Sequence, residues 1–293
     1  MKQKSVSGLI VPLLTPMDEN ARLDYFALKT LTARLMNKGV KNFLLLSPFA
    51  EYNFLEENEE REIIKLSSSL VGNKGNLFIG CFANSTEEII KKVLFAQKFS
   101  DYCVVNVPLP SLTNEVLFID FFDKLFTRTK AKILLLNDPH SFKRNIPVIG
   151  LERIANWEKL IGVIDYSGNM SYYKALSDHY QSIKSFQGKE ELIVDSYDMH
   201  CSGIVSSFAN LLPATFLKIE NEFSEVGYNG MLRKQTKINS LLKDYFPTGK
   251  RIQTIKYALF VEGVMQRYYS KTLSELSKKE EEKIESFFEK SIA

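Results

Sequence analysis

The sequence predicts an α/β protein: a single (β/α)8 TIM barrel with a C-terminal helical extension. Three observations carry this. Short apolar runs alternate with segments of helical period, and the pattern recurs eight times. Most runs are continuously apolar, as strands buried on both faces of a parallel sheet are. Eight units in about 215 residues match the barrel's usual span. An open doubly wound sheet fits less well, because no G-x-G-x-x-G follows the first strand.

The predicted strands are Gly8–Leu13, Asn42–Leu46, Leu77–Cys81, Tyr102–Asn106, Lys132–Leu136, Ile161–Ile164, Ile183–Phe186 and Gly203–Val205. Helices fall between them. Asp24–Lys38 places Phe26, Leu28, Leu31, Leu35 and Met36 near one face and ends before Gly39. Glu56–Val71 opens with carboxylates that suit the positive end of a helix dipole. Ser85-Thr86-Glu87-Glu88 reads as a capped helix start. Asn114–Arg128 carries a stripe of Phe118, Phe121, Phe122 and Leu125. The barrel is assigned to residues 1–225 and the extension to 226–293. The extension is read as helices over Gly227–Asp244, Lys250–Arg267 and Ser274–Ile292.

Composition narrows the function. Across 293 residues, 38 basic side chains against 35 acidic ones leave a net charge of +3, which is no footprint for gripping a nucleic-acid backbone. Cys81, Cys103 and Cys201 lack metal spacing and read as reduced, mostly buried thiols. No apolar run approaches the roughly 20 residues of a membrane span. No signal-type block follows Met1–Ser7. A cytoplasmic protein with no cofactor and no metal is expected.

Barrels of this class work at the C-terminal ends of their strands. Those ends carry Thr15-Pro16, Ser47-Pro48-Phe49-Ala50-Glu51, Gly80–Ser85, Asn106-Val107-Pro108, Asn137-Asp138-Pro139-His140, Ile164–Gly168, Gln187-Gly188-Lys189-Glu190 and Ser206–Asn210. Together with Gly8–Pro16, Ala83–Glu88, Asn137-x-Pro139, Gly162–Gly168 and Gly203–Ser206 followed by Asn210 and Pro213, this set resembles the dihydrodipicolinate synthase / N-acetylneuraminate lyase family. That family includes 2-keto-3-deoxygluconate aldolases. The match runs from about residue 6 to residue 215.

The resemblance implies class I aldol chemistry on a 2-oxo acid, through an imine formed by a lysine on strand six. It also implies a proton-shuttling tyrosine on strand five and two hydroxyl residues after strand two that hold the substrate carboxylate. This chain departs at each of these places. The lysine position is Ile164, the tyrosine position is Leu136, and the hydroxyl pair is Pro48 and Phe49. Ser47 and Ala50 replace the flanking glycines, and only Glu51 remains. Lys143 and Arg144 lie out of register with the arginine expected after strand five, and Leu109-Pro110 replaces an aromatic pair. Isoleucine forms no imine, leucine moves no proton, and proline offers no N–H.

The leading expectation is therefore a divergent member without family-type aldolase activity. It would bind a small 2-oxo acid or sugar acid, or partner an active paralogue. The family's habit of assembly implies a dimer, a tetramer or a mixed oligomer. The possible pocket comprises Pro48, Phe49, Glu51, Asn137, His140, Asp165, Gly188, Lys189 and Ser206. One alternative is a rewired lyase using Lys189, since a desolvated lysine loses its proton readily. The plainer reading is an exposed lysine at a helix start. A second alternative is acid–base or metal chemistry at His140, Asp165 and Glu51. Loop capping explains the same residues. Cys81 reads as a small buried hydrophobe, Tyr52 and Tyr166 as packing or rim residues, and His179 and His200 receive no role.

Overall fold

The computed structural model describes residues 6–179, 183–246 and 249–292. Eight parallel strands close into a barrel in sequence order. They are β1 Gly8–Pro12, β2 Asn42–Leu45, β3 Asn76–Gly80, β4 Tyr102–Val105, β5 Lys132–Asn137, β6 Leu160–Asp165, β7 Lys184–Gln187 and β8 Gly203–Val205. Closure runs through Gly8↔Gly203, Leu9↔Ile204 and Ile10↔Val205. Gly203 is required there, because a Cβ would lie 2.0 Å from the Gly8 carbonyl oxygen.

The continuous apolar runs resolve into two layers. Ile10, Leu44, Phe78, Val104, Leu134, Leu136, Ile164, Phe186 and Val205 form one cluster inside the barrel. Their neighbours along the strands, among them Leu9, Val11, Phe43, Leu45, Ile79, Cys103, Leu135 and Val163, join the helical shell. Side chains alternate between faces along each strand, and both faces are dry. Hydrophobicity therefore shows no alternation in the sequence.

The helices are capped, at Ser85 as predicted and also at Asp24 and Asn114. Asp24 accepts from the Ala27 N–H at 2.9 Å, Ser85 from Glu88 at 3.3 Å, and Asn114 from Leu117 at 3.1 Å. Glu56 and Glu59 make a reciprocal capping box. The corresponding helices run over Tyr25–Asn37, Glu57–Val71, Thr86–Ala96 and Glu115–Arg128.

The C-terminal region departs more. The helix expected from Gly227 begins at Ile219 and continues to Tyr245, with a kink where Gly227 takes φ 64 and ψ −172. The second helix spans Arg251–Val261, short of Arg267, and Gly263 follows it with φ 72. The third spans Lys278–Ile292, starting after Ser277, whose hydroxyl accepts from the Glu280 N–H at 3.4 Å. Gln253 through Leu259 are all buried, so the middle helix sits inside the fold. Among the described residues no helix is long and apolar enough to cross a membrane.

Candidate functional site

Strand register places Leu136 directly beside Ile164. Both are buried, Ile164 completely, within the interior apolar cluster. Aromatic rings close the mouth above them. Phe49 packs on Tyr166 with ring centres 4.8 Å apart, Tyr52 on Phe82 at 5.3 Å, and Phe82 on Phe142 at 6.0 Å. An ionised carboxylate at this depth would cost several kcal/mol, on the order of the penalty for an unpaired buried charge.

The segment after β2 is a short 3-10 turn, Pro48–Ala50, capped by Ser47. Its N–H groups are already engaged. Phe49 donates to the Ser47 hydroxyl at 3.2 Å, and Ala50 to the Ser47 carbonyl at 2.9 Å. The Ala50 carbonyl in turn accepts from Thr15 Oγ1 at 2.7 Å. Pro48 and Phe49 are half-buried. Glu51 follows in the left-handed region at φ 58 and is buried. Its carboxylate pairs with Lys256 and accepts from the Ser270 N–H at 2.7 Å. Lys256 is fully buried, and its amine also donates to the Tyr268 carbonyl at 3.2 Å. Burial pushes its pKa down, and the facing Glu51 opposes that shift.

At the ends of β5 and β6 the polar side chains satisfy one another. Asn137 Nδ2 donates to Asp165 at 2.6 Å and to Asn145 at 3.1 Å, and Asn137 Oδ1 accepts from the Ile146 N–H at 2.8 Å. Asp165 also accepts from the Ser167 N–H at 3.1 Å and the Ser167 hydroxyl at 2.9 Å. Burial raises the Asp165 pKa despite these donors and the nearby Lys189 charge. Asp138 caps a four-residue turn, accepting from the His140 N–H at 3.1 Å.

His140 is exposed. With Tyr52, Asn53, Asn84 and Lys143 it lines an open, polar recess of about 530 Å3. Burial lifts the Tyr52 phenol to about 12. Asp165 and Glu51 are engaged elsewhere, and neither lines that recess. Among the described residues no group of three or more His, Cys, Asp or Glu could hold a metal ion. Cys81 is buried and its thiol is pushed well up by desolvation, against nucleophilic use.

The end of β7 brings together residues the sequence reading only partly anticipated. Gly188 must be glycine, since a Cβ would lie 2.5 Å from the Tyr166 ring. Lys189 is half-buried, its N–H donating to Gln187 Oε1 at 2.8 Å. Glu190 is buried beside it. One carboxylate oxygen accepts from the Ser206 hydroxyl at 2.9 Å, and the other pairs with Arg251 at 2.9 Å. The Arg251 guanidinium lies 5.5 Å from the Phe49 ring centre and 4.9 Å from that of Phe208. Burial raises the Glu190 pKa and the Arg251 charge opposes it. Glu190, Arg251 and Lys256 were not singled out as pocket residues. The one available signal was a lysine inside the apolar run Ile255–Leu259.

Comparisons with known proteins agree on the fold's ancestry. A profile of the Dihydrodipicolinate synthetase family matches residues 5–291. A 4-hydroxy-tetrahydrodipicolinate synthase from Chlorobium phaeobacteroides is 24% identical over 290 residues, covering 97% of this chain and 96% of its own. One from Hydrogenobaculum is 24% identical over 291 residues, covering 97% and 98%. The solved dihydrodipicolinate synthase of Aquifex aeolicus superposes with a TM-score of 0.90 at 20% identity, covering 98% of each chain. That of Bacteroides thetaiotaomicron gives 0.90 at 22%, covering 99% and 100%. The closed eight-stranded barrel and the near full-length match together make this chain a member of the dihydrodipicolinate synthetase family.

Proposed function

We propose that this chain is a non-catalytic member of its family, acting in the cytoplasm as a partner subunit for itself or for a lysine-containing paralogue. A small-molecule ligand, a 2-oxo acid or sugar acid, fits the polar recess around His140. The observation that carries this reading is the pair of buried, apolar side chains of Leu136 and Ile164, neighbours in strand register, where an imine-forming amine and a proton shuttle would have to sit. The engaged N–H groups of Phe49 and Ala50 support it, because a substrate carboxylate finds no free donor there.

One observation favours a second reading, a rewired lyase. A Cβ built on Gly168 would lie 3.7 Å from Lys189 Cε, so the lysine stem reaches the turn after β6. The experiment separates the two. The purified protein is incubated with pyruvate, reduced with borohydride and mapped by mass spectrometry. No lysine adduct is expected. An adduct at Lys189, or at any other lysine, overturns the non-catalytic reading. Co-expression with a lysine-containing paralogue should give a mixed oligomer on affinity purification, and a strictly monomeric elution profile counts against the partner role.

A further inference from the structure

Glu190, Ser206 and Arg251 form a carboxylate-binding arrangement of an unusual kind, because the carboxylate belongs to the chain itself. The donors come from elsewhere. Ser206 follows β8, and Arg251 opens the helix Arg251–Val261. Each donor contacts a different oxygen, both at 2.9 Å. That is the two-sided grip by which a hydroxyl and a guanidinium hold a small carboxylate. Arg251 has supports besides Glu190, since the Phe49 and Phe208 rings flank its guanidinium. Ser206 is fixed through its backbone, donating to the Ile10 carbonyl at 3.2 Å. Glu190 is delivered to this pair by its own main chain, whose carbonyl accepts from Gln235 at 2.8 Å. The Arg251 side chain is 25% exposed, while that of Glu190 is 1% exposed. The arrangement therefore reaches solvent on the arginine side.

We infer that Ser206 and Arg251 make up an anion site for a small monocarboxylate, and that Glu190 occupies it as an internal ligand. The site lies at the ends of β7 and β8, and the Phe49 ring of the segment after β2 borders it. Its ligand class is fixed by the group it already holds: one carboxylate on a short aliphatic stem. This inference does not rest on the non-catalytic reading. That reading falls on an imine adduct, whereas the following titration reports only on the Ser206–Arg251 site.

Glu190→Ala removes the equivalent of one acetate and leaves both donors in place. The variant should melt below the parent and recover as acetate is added. The recovery should be saturable, reaching about 5 °C in thermal midpoint at concentrations far above Kd. Acetamide, equal in size but uncharged, should give no recovery. Neither the parent nor Glu190→Ala combined with Arg251→Met should respond to acetate. Recovery that acetamide reproduces, an equal response in the parent, or no response in folded Glu190→Ala overturns the inference. If Glu190→Ala does not fold, a second pair of variants decides. Arg251→Met strands a buried carboxylate, so it should melt several degrees below the double variant Glu190→Gln/Arg251→Met. A midpoint equal to or above that of the double variant overturns the inference.

Discussion

Individual side chains decide what the mouth of this barrel can do. Ile164 and Leu136 are large enough to join the interior cluster, and they complete it with Phe82, Tyr166 and Phe186. Asp165 shows how local donors hold a buried polar group at the mouth. Its two oxygens meet Asn137 and both donors of Ser167, an arrangement that holds the turn after β6. Desolvation still outweighs these donors, and the folded-state pKa lies above the ordinary carboxylate value. A carboxyl whose pKa is raised by folding binds its proton more tightly in the native state. Native stability therefore falls as pH rises from the unfolded pKa through the folded one. Below both values the group is neutral in both states and the effect vanishes. Asp165→Asn removes this titration. The stability of the parent relative to Asp165→Asn, measured by urea unfolding, should decline as pH rises above the ordinary aspartate value of about 3.9. A difference that is flat or rises over that range contradicts the assignment of burial as the dominant cause.

Among the elements, the helix Arg251–Val261 has the greatest influence on the mouth. Two basic residues on it, Arg251 and Lys256, reach two acidic residues after strands three places apart around the barrel. Glu190 follows β7 and Glu51 follows β2. A buried ion pair adds little net stability over an apolar pair of the same shape, yet breaking one half of it is expensive. Lys256→Met should therefore lower stability by about 3–5 kcal/mol, because it leaves the Glu51 carboxylate buried with one fewer donor. The combined variant Glu51→Gln/Lys256→Met should recover most of that loss. Urea unfolding of the three proteins checks this. Equal losses in the single and the double variant would show that packing around the lysine stem, and not the charge, holds the helix in place.

At the scale of the whole molecule, the barrel was legible because its physics is local and repetitive. Asp24, Ser85 and Asn114 each cap the helix they precede, and each strand was placed to within about two residues by its apolar run. The departures read at Ile164, Leu136, Pro48 and Phe49 rest on the family resemblance alone, each a single residue set against a pattern. The Glu190–Arg251 and Glu51–Lys256 pairs were not legible. Their partners are 61 and 205 positions apart in the chain, and no local rule joins them. Nor does periodicity reveal that the helix Arg251–Val261 is buried on nearly every side. Burial so complete makes the C-terminal region part of one folding unit with the barrel. Ile255, Tyr257, Ala258 and Leu259 belong to the same apolar cluster as the shell helices. A chain ending at Phe246 would expose that surface and leave both Glu51 and Glu190 buried without their cations. It should fail to give a cooperative thermal transition and should bind an apolar dye such as ANS. A truncated barrel that melts cooperatively near the parent's midpoint would instead make the extension an independent appendage.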